Sequence, residues 1–399
     1  MTGATKQQKQ KPPLRGFAKA EYAARLAKLQ AAMTKRGWDG VLLTTAADIC
    51  YMTGFLTPFF LSPTRPWFVV VPGRGMPVAV VPQIGAAAMR RCYVGEVRKW
   101  NSPNPQDEGI SLLADTLAAL TKTNGMIGSP LGAETYTRMP MADYDKLQKI
   151  LHPRVFVDSA DVLWQLRMQK SAAEVAKIRY VAAMMSDSFI ALSQTEEGAV
   201  MSESQLCRAL EIDVLRRGID GVPYLVAASG GGGYETIMMP PTCRIVGRGE
   251  VLMIDVGAVY DGYFCDFCRN YAASSPPQEA ANAHDVLYDS LQAGFAAARP
   301  DNTAADVWRA MEGVLSRAGF ASAKSGGRFG HGIGLQLTEK PSLMPNDNTM
   351  LKAGMTLALE PSLTMANGLS IVREENIVIG ENKTEWLTNP APRVMLALR

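Results

Sequence analysis

Two aspartates, Asp255 and Asp266, stand in the stretch "LMIDVGAVYDGYFCDF", which is otherwise apolar and strand-like. Burial there makes an ionised carboxylate expensive unless a counter-charge meets it. The two lie 11 positions apart, with "YDG" between them as turn chemistry. A hairpin of that length brings both carboxylates to one place, where they repel and one is driven to stay protonated. A cation between them removes the penalty. Three more residues are of the same kind: His331 in "FGHGIGL", Glu360 ending "MTLALEP", and Glu375 in "IVREENIVI". Singly, each has a plain explanation, since a strand-end carboxylate is usually solvated and a lone histidine is usually a satisfied core residue. Jointly they amount to four negative charges and one neutral donor. Two divalent ions balance that set, and oxygen-rich ligation with one imidazole favours Mn, Fe, Co or Zn. A metal pair of this kind acidifies water and polarises a carbonyl.

The elements that must position these residues read as follows. Glu21–Arg36 has helical apolar spacing and ends at Gly37; "DGVLLTT", "ICYMTGF", "RPWFVVVPG" and "PVAVVPQ" read as strands, and "GISLLADTLAALTK" as a helix. Short strand candidates follow near Met126 and Val155. This first part alternates strand and helix, as a compact α/β domain does. A helix of about thirty residues is expected over "WQLRMQKSAAEVAKIRYVAAMMSDSFIALSQ", with Ser171 and Glu174 forming a capping box. The domain boundary belongs between about Val157 and Lys170. Beyond it the order is helices, strands, helices, strands, compatible with two related halves.

Together "IDVGAVYDGYFCDFCRNY", "GHGIGL", "GMTLALEPSL" and "VREENIVI" resemble the metal-binding signatures of the creatinase/prolidase/aminopeptidase P family (M24). The stretch "RLAKLQAAMTKRGWDGVLLTTAADICYMTGF" resembles the creatinase-type first domain of that family. The resemblance implies an α/β creatinase-like N-terminal domain over residues 17–160, after a disordered tail at 1–16, and an α+β pita-bread catalytic domain over 161–399. It maps the five family ligands onto Asp255, Asp266, His331, Glu360 and Glu375, with two divalent ions as cofactor and Glu360 as the catalytic proton acceptor. Arg269 and Arg373, next to ligand strands, become candidates for orienting carboxylates.

The chain departs from the family pattern in one respect. Peptidases of the family show two further histidines, one before the first metal strand and one after "GHGIGL". This sequence has three histidines in all, and Thr338 stands where the second is expected. His152 and His284 match neither position. Tyr234, Glu235, Tyr263, Thr338, Glu339 and Glu374 are the available replacements for binding a substrate or donating a proton. The expected activity is hydrolysis of an amide-type C–N bond in a dipeptide or other small molecule, as in Xaa-Pro dipeptidases. Two alternatives remain: action on a small zwitterion, in the manner of dimethylsulfoniopropionate lyases or ectoine hydrolases, and a non-catalytic binding module.

Composition narrows the setting. The 399 residues are 47% hydrophobic with a net charge of +3, enough for a large core and no argument for nucleic acid or an anionic membrane as partner. No apolar run is long enough to span a bilayer. Six scattered cysteines fit a reducing cytoplasm, with Cys265 and Cys268 as packing thiols. The glycine run 230–233 lacks a phosphate-loop ending and suits a mobile rim over the metal site. Trp67 in "FLSPTRPWF" is either core or a cover for a neighbouring subunit's site in a homodimer, and the second is preferred.

Overall fold

The computed structural model describes residues 11–195, 198–322 and 327–398. Most of the expected 1–16 tail therefore lies outside the described residues. The chain forms two compact units, 15–167 and a second made of 168–398 with 11–14. The helix Ala160–Met168 stays with the first unit, because Arg167 forms a buried 2.9 Å ion pair with Asp48. The division consequently falls after Arg167 rather than at 160/161.

The first unit is built on a six-stranded mixed sheet in the order Glu96–Trp100, Val78–Pro82, Phe68–Pro72, Trp38–Leu43, Met126–Ser129, Val155–Asp158. The runs "FVVVP" and "VAVVP" are buried at every position, as strands covered on both faces must be. Two expectations fail here. "ICYMTGF" is not a strand: Ala46–Thr53 is a helix, started by Thr45, whose hydroxyl accepts from the Asp48 amide, and stopped by Gly54 in the left-handed region. Seven residues, five of them apolar, fit either element, and the caps decide. Trp67 is no exposed cover either. It is 2% exposed, with its ring against Phe55 at 4.9 Å and Phe60 at 6.1 Å, so it belongs to the core of its own unit.

The expected thirty-residue helix is cut in two. Ala160–Met168 ends before a bridge between Gln169 and Met355, and Ala172–Leu192 starts at the Ser171/Glu174 capping box. The box closes the amides of a new helix, which is why the periodic pattern does not run through it. The helix pair Ala172–Leu192 and Glu203–Arg216 precedes a four-stranded sheet ordered Leu396–Ala397, Tyr263–Ala272, Val251–Tyr260, Gly221–Gly230. The second pair, Gln278–Ala297 and Ala304–Arg317, precedes a five-stranded sheet ordered Glu339–Ser342, Gly330–Gly332, Thr356–Leu359, Glu375–Ile379, Thr384–Trp386. Buried apolar residues of the second helix pair share one core with Ile377 and Ile379. The glycine run is pinned at its end, where Tyr234 bridges to Ser370 through two backbone hydrogen bonds. All six cysteines are free thiols, and Cys265 and Cys268 are buried. Among the described residues no helix is long and apolar enough to cross a membrane.

Candidate metal centre

The strands Val251–Tyr260 and Tyr263–Ala272 form the expected hairpin, closed by Asp261 and Gly262 at φ 51° and 82°. Both turn residues are left-handed, the geometry that an Asp-Gly pair supplies. The register sets Asp255 opposite Cys268 and Gly257 opposite Asp266. Residues two apart share a face, so both aspartates point to the same side from diagonal positions. His331 lies on Gly330–Gly332, between Thr356–Leu359 and Glu339–Ser342. A side chain at Gly330 would stand 2.0 Å from the Ala358 carbonyl oxygen, and one at Gly332 2.2 Å from that of Lys340. The bare backbone on both sides lets three strands close around the imidazole.

His331 Nδ1 lies 3.0 Å from the Gly332 carbonyl oxygen, and Nε2 lies 3.4 Å from Asp266 Oδ2. Burial pushes the imidazole down to about 4, so it is neutral. With Nδ1–H donated to that carbonyl, the Nε2 lone pair is left for a ligand. Donor atoms of Asp266, His331 and Glu374 all lie within 4.8 Å of one another. Asp255 joins them: its Oδ2 accepts from the Tyr224 hydroxyl at 3.2 Å, and its Oδ1 is buried without a partner. Glu374 Oε2 is likewise buried and unpartnered. Glu360, at the end of its strand, is tied by its amide to the Phe329 carbonyl at 2.9 Å and keeps a partly exposed edge.

The electrostatics are those of acids crowded together. Burial raises Asp255 to about 6, and burial with the Asp255 charge raises Glu360 to about 8. Asp266 and Glu374 are pushed well above the usual carboxylate range, by burial first and by the neighbouring acids next. Two orphaned carboxylate oxygens, a neutral imidazole and unbalanced negative charge are what a cation site requires. The residues present fit divalent metal.

One expected ligand is corrected. Glu375 does not face the cluster: its Oε2 pairs with Arg269 at 3.0 Å, and its Oε1 accepts from the Ala391 amide at 2.7 Å. Neighbouring strand residues point to opposite faces. Glu375 is in phase with Ile377 and Ile379 of the core, whereas Glu374 is in phase with Asn376. That asparagine accepts from the Asp266 amide at 2.9 Å and donates to the Asp266 carbonyl, locking the two strands together at the site. The alternation was legible: the acid sharing a face with a polar residue, not with two isoleucines, is the one available to a site.

The remaining candidates fall into two groups. Arg269 donates to the carbonyls of Cys268, Glu374 and Asn389, so it fixes the Glu374 backbone rather than a ligand carboxylate. Arg373 binds the carbonyls of Ala391, Pro392 and Arg393 and meets the His284 ring at 3.2 Å, anchoring the C-terminal segment on the far side of the strand. Tyr234 is a core residue whose hydroxyl accepts from the Val372 amide at 2.6 Å and donates to Asn270 at 3.3 Å. Tyr263 donates to Glu174 at 2.8 Å. Glu339 is held by Lys170 at 2.9 Å, with both side chains buried. These four hydrogen-bond or charge assignments make Tyr234, Tyr263, Glu339 and Arg373 parts of the framework, not free substrate groups. Thr338 is half-buried, and Glu235 is exposed. Sequence reasoning missed Tyr224, whose hydroxyl meets Asp255. Tyr224 sits opposite Gly257, and Leu337 covers the same glycine.

Residues 176–381 match the model of metallopeptidase family M24, and residues 25–169 match the creatinase/prolidase N-terminal domain. The chain belongs to metallopeptidase family M24. It is an M24 enzyme with a creatinase-type first domain and a pita-bread second domain. A probable dipeptidase PepE of Mycobacterium tuberculosis is 26% identical over 387 residues, covering 94% of this chain and 96% of that one. An ectoine hydrolase of Halomonas elongata is 25% identical over 400 residues, with the same shares covered. The prolidase of Thermococcus sibiricus superposes with a TM-score of 0.85 at 22% identity, over 96% of this chain and all of that one, a likeness of fold.

Proposed function

We propose that this M24 enzyme hydrolyses an amide-type C–N bond in a dipeptide or similarly small substrate, at a centre where Asp255, Asp266, His331, Glu360 and Glu374 hold two divalent ions. The observation that supports the reading is the convergence of Asp266, His331 and Glu374 within 4.8 Å, with buried oxygens of Asp255 and Glu374 left unpartnered and Asp255 and Glu360 acting electrostatically on the same cluster. Ions bound there would supply acidified water and would polarise the scissile carbonyl. The chain's own residues do the rest. Gly332 fixes the His331 tautomer. Tyr224 turns Asp255 so that Oδ1 faces inward. Glu360, the one acid of the cluster with an exposed edge, takes the proton from the attacking water and passes it to the leaving nitrogen as the C–N bond breaks.

A second reading has its own support. The ectoine hydrolase matches over the same share of the chain as the dipeptidase. Tyr224 also stands on Asp255, and the sequence lacks the two expected histidines. Both features suit a compact zwitterion as substrate, processed by hydrolysis or by a lyase step. The test is turnover of an Xaa-Pro dipeptide panel and of ectoine by Mn²⁺-reconstituted protein, with Asp255→Ala as control. Dipeptide cleavage abolished in the variant supports the peptidase reading. A fully loaded protein that cleaves no dipeptide and opens ectoine replaces it with the second.

A further inference from the structure

Gly257 is a gap in the sheet face that carries the two aspartates. It shares one row with Tyr224 and Asp266, and it stands two residues from Asp255 on the same side of the strand. A side chain there would meet the Leu337 Cδ1 at 2.2 Å and the Tyr224 Cβ at 3.1 Å. Leu337 therefore occupies the space that the glycine leaves, in the row between Tyr224 and Asp266 and beside Asp255. The chain is buried from Gly330 to Leu335, and Gln336, Leu337 and Thr338 are half-buried. An apolar side chain with an accessible edge thus borders the metal centre.

Its position is fixed by its neighbours. The Gln336 amide donates to Glu339 Oε1 at 3.2 Å, and Lys170 Nζ holds Glu339 Oε2 at 2.9 Å. The Gly334 amide donates to the Gln336 carbonyl at 3.1 Å, which closes the turn. The Gly334 carbonyl accepts the Phe264 amide at 2.8 Å, which ties that turn to the strand bearing Asp266. A leucine held in this way offers no charge, donor or acceptor. What it contributes is shape, because it takes volume that a substrate group would otherwise fill.

We infer that Leu337 is a specificity-determining residue: it limits the size of the substrate side chain beside the scissile bond and favours small ones over those of leucine or phenylalanine size. The inference rests on the proposed hydrolytic reading and narrows its substrate class to molecules compact at that position. Close-packed surroundings register a single methylene, and a shape contact of this kind discriminates by roughly 10-fold or more.

The test is calorimetric binding of the hydroxamates of glycine, alanine, leucine and phenylalanine to Mn²⁺-loaded full-length protein. These probes attach to bound metal whether or not the protein cleaves peptides. Wild type, Leu337→Ala, Leu337→Phe and the near-isosteric Leu337→Met are compared, with metal content measured for each. Wild type should bind the two small probes more tightly than the two large ones. Leu337→Ala should shift that ratio roughly 10-fold or more toward the large probes, and Leu337→Phe should shift it toward the small ones. Leu337→Met should keep the wild-type order, and metal content should be equal throughout, since Leu337 supplies no ligand atom. A wild type that binds all four equally, or none of them, overturns the inference. So does a ratio unmoved by Leu337→Ala and Leu337→Phe, or a loss that is the same for every probe. Dipeptide turnover, measured alongside, separates the two claims. A probe order that follows the side chain at this position without any cleavage sinks the peptidase reading and leaves the size limit standing, whereas cleavage with an unmoved probe order does the reverse.

Discussion

Glu374 and Glu375 are adjacent in sequence and opposite in consequence, so replacing each by glutamine in metal-stripped protein should move stability in opposite directions. Glu375 and Arg269 are a buried ion pair, with side chains 2% and 4% exposed. Removing one partner of such a pair costs about 3–5 kcal/mol, because the other charge stays buried. Arg269 keeps its carbonyl contacts to Cys268, Glu374 and Asn389, so the lower end applies. For a unit of this size that is a fall in Tm of roughly 6–12 °C. Glu374, by contrast, is crowded by Asp266 and Asp255 and carries an oxygen with no partner. Glutamine there relieves repulsion, so stripped Glu374→Gln should melt at or above wild type at pH 8. The assay is thermal melting followed by circular dichroism after chelator treatment, repeated with Mn²⁺. At about 100 times Kd each bound ion adds about 2.7 kcal/mol. That gain should survive in Glu375→Gln and shrink in Glu374→Gln. A stripped Glu375→Gln protein as stable as wild type, or a Glu374→Gln protein that keeps the full Mn²⁺ gain, would refute the assignment of faces.

Stripped wild type should lose stability as pH rises. Asp255 at about 6 and Glu360 at about 8 lie above their ordinary values, so their contribution is complete below about pH 4 and is lost as pH climbs through 6 to 8. The Asp255 share is about 3 kcal/mol, and saturating Mn²⁺ should flatten the curve in a pH-resolved melt. His284 has the opposite sign: burial and the neighbouring Arg373 hold it down to about 3, so its contribution is present above about pH 6.5 and is lost as pH falls below that. At pH 5 the loss is about 2 kcal/mol, and His284→Gln should remove that part of the slope in urea titrations. Tyr224→Phe leaves Asp255 Oδ2 without its donor and should weaken Mn²⁺ binding by roughly tenfold or more in calorimetric titration, with melting of the stripped protein little changed.

The sequence carried the site further than it carried the elements around it. Asp255, Asp266, His331 and Glu360 stood out as candidates because each breaks an apolar run, and a charge in such a place demands a reason. The fifth acid was misplaced by one residue, where the period-two alternation of "EENIVI" held the answer. The helix at Ala46–Thr53 was missed because a short apolar run carries no period of its own, and the Thr45 cap is a local signal that only the folded chain reveals as used. For Trp67 both core and a cover for a neighbouring subunit were open, with the cover preferred, since no local pattern separates a core tryptophan from an interface one. Tyr224 could not be found from spacing at all. It reaches the cluster across strands, through its hydroxyl on Asp255 and its register with Gly257.

The central claim is a two-ion centre held by the hairpin aspartates together with His331, Glu360 and Glu374. Elemental analysis of protein dialysed against Mn²⁺ and then freed of unbound metal tests it most directly, with Asp266→Asn alongside. The account predicts two ions per wild-type chain and at most one in the variant. A wild type that retains fewer than one ion, or an Asp266→Asn protein that retains both, would contradict it.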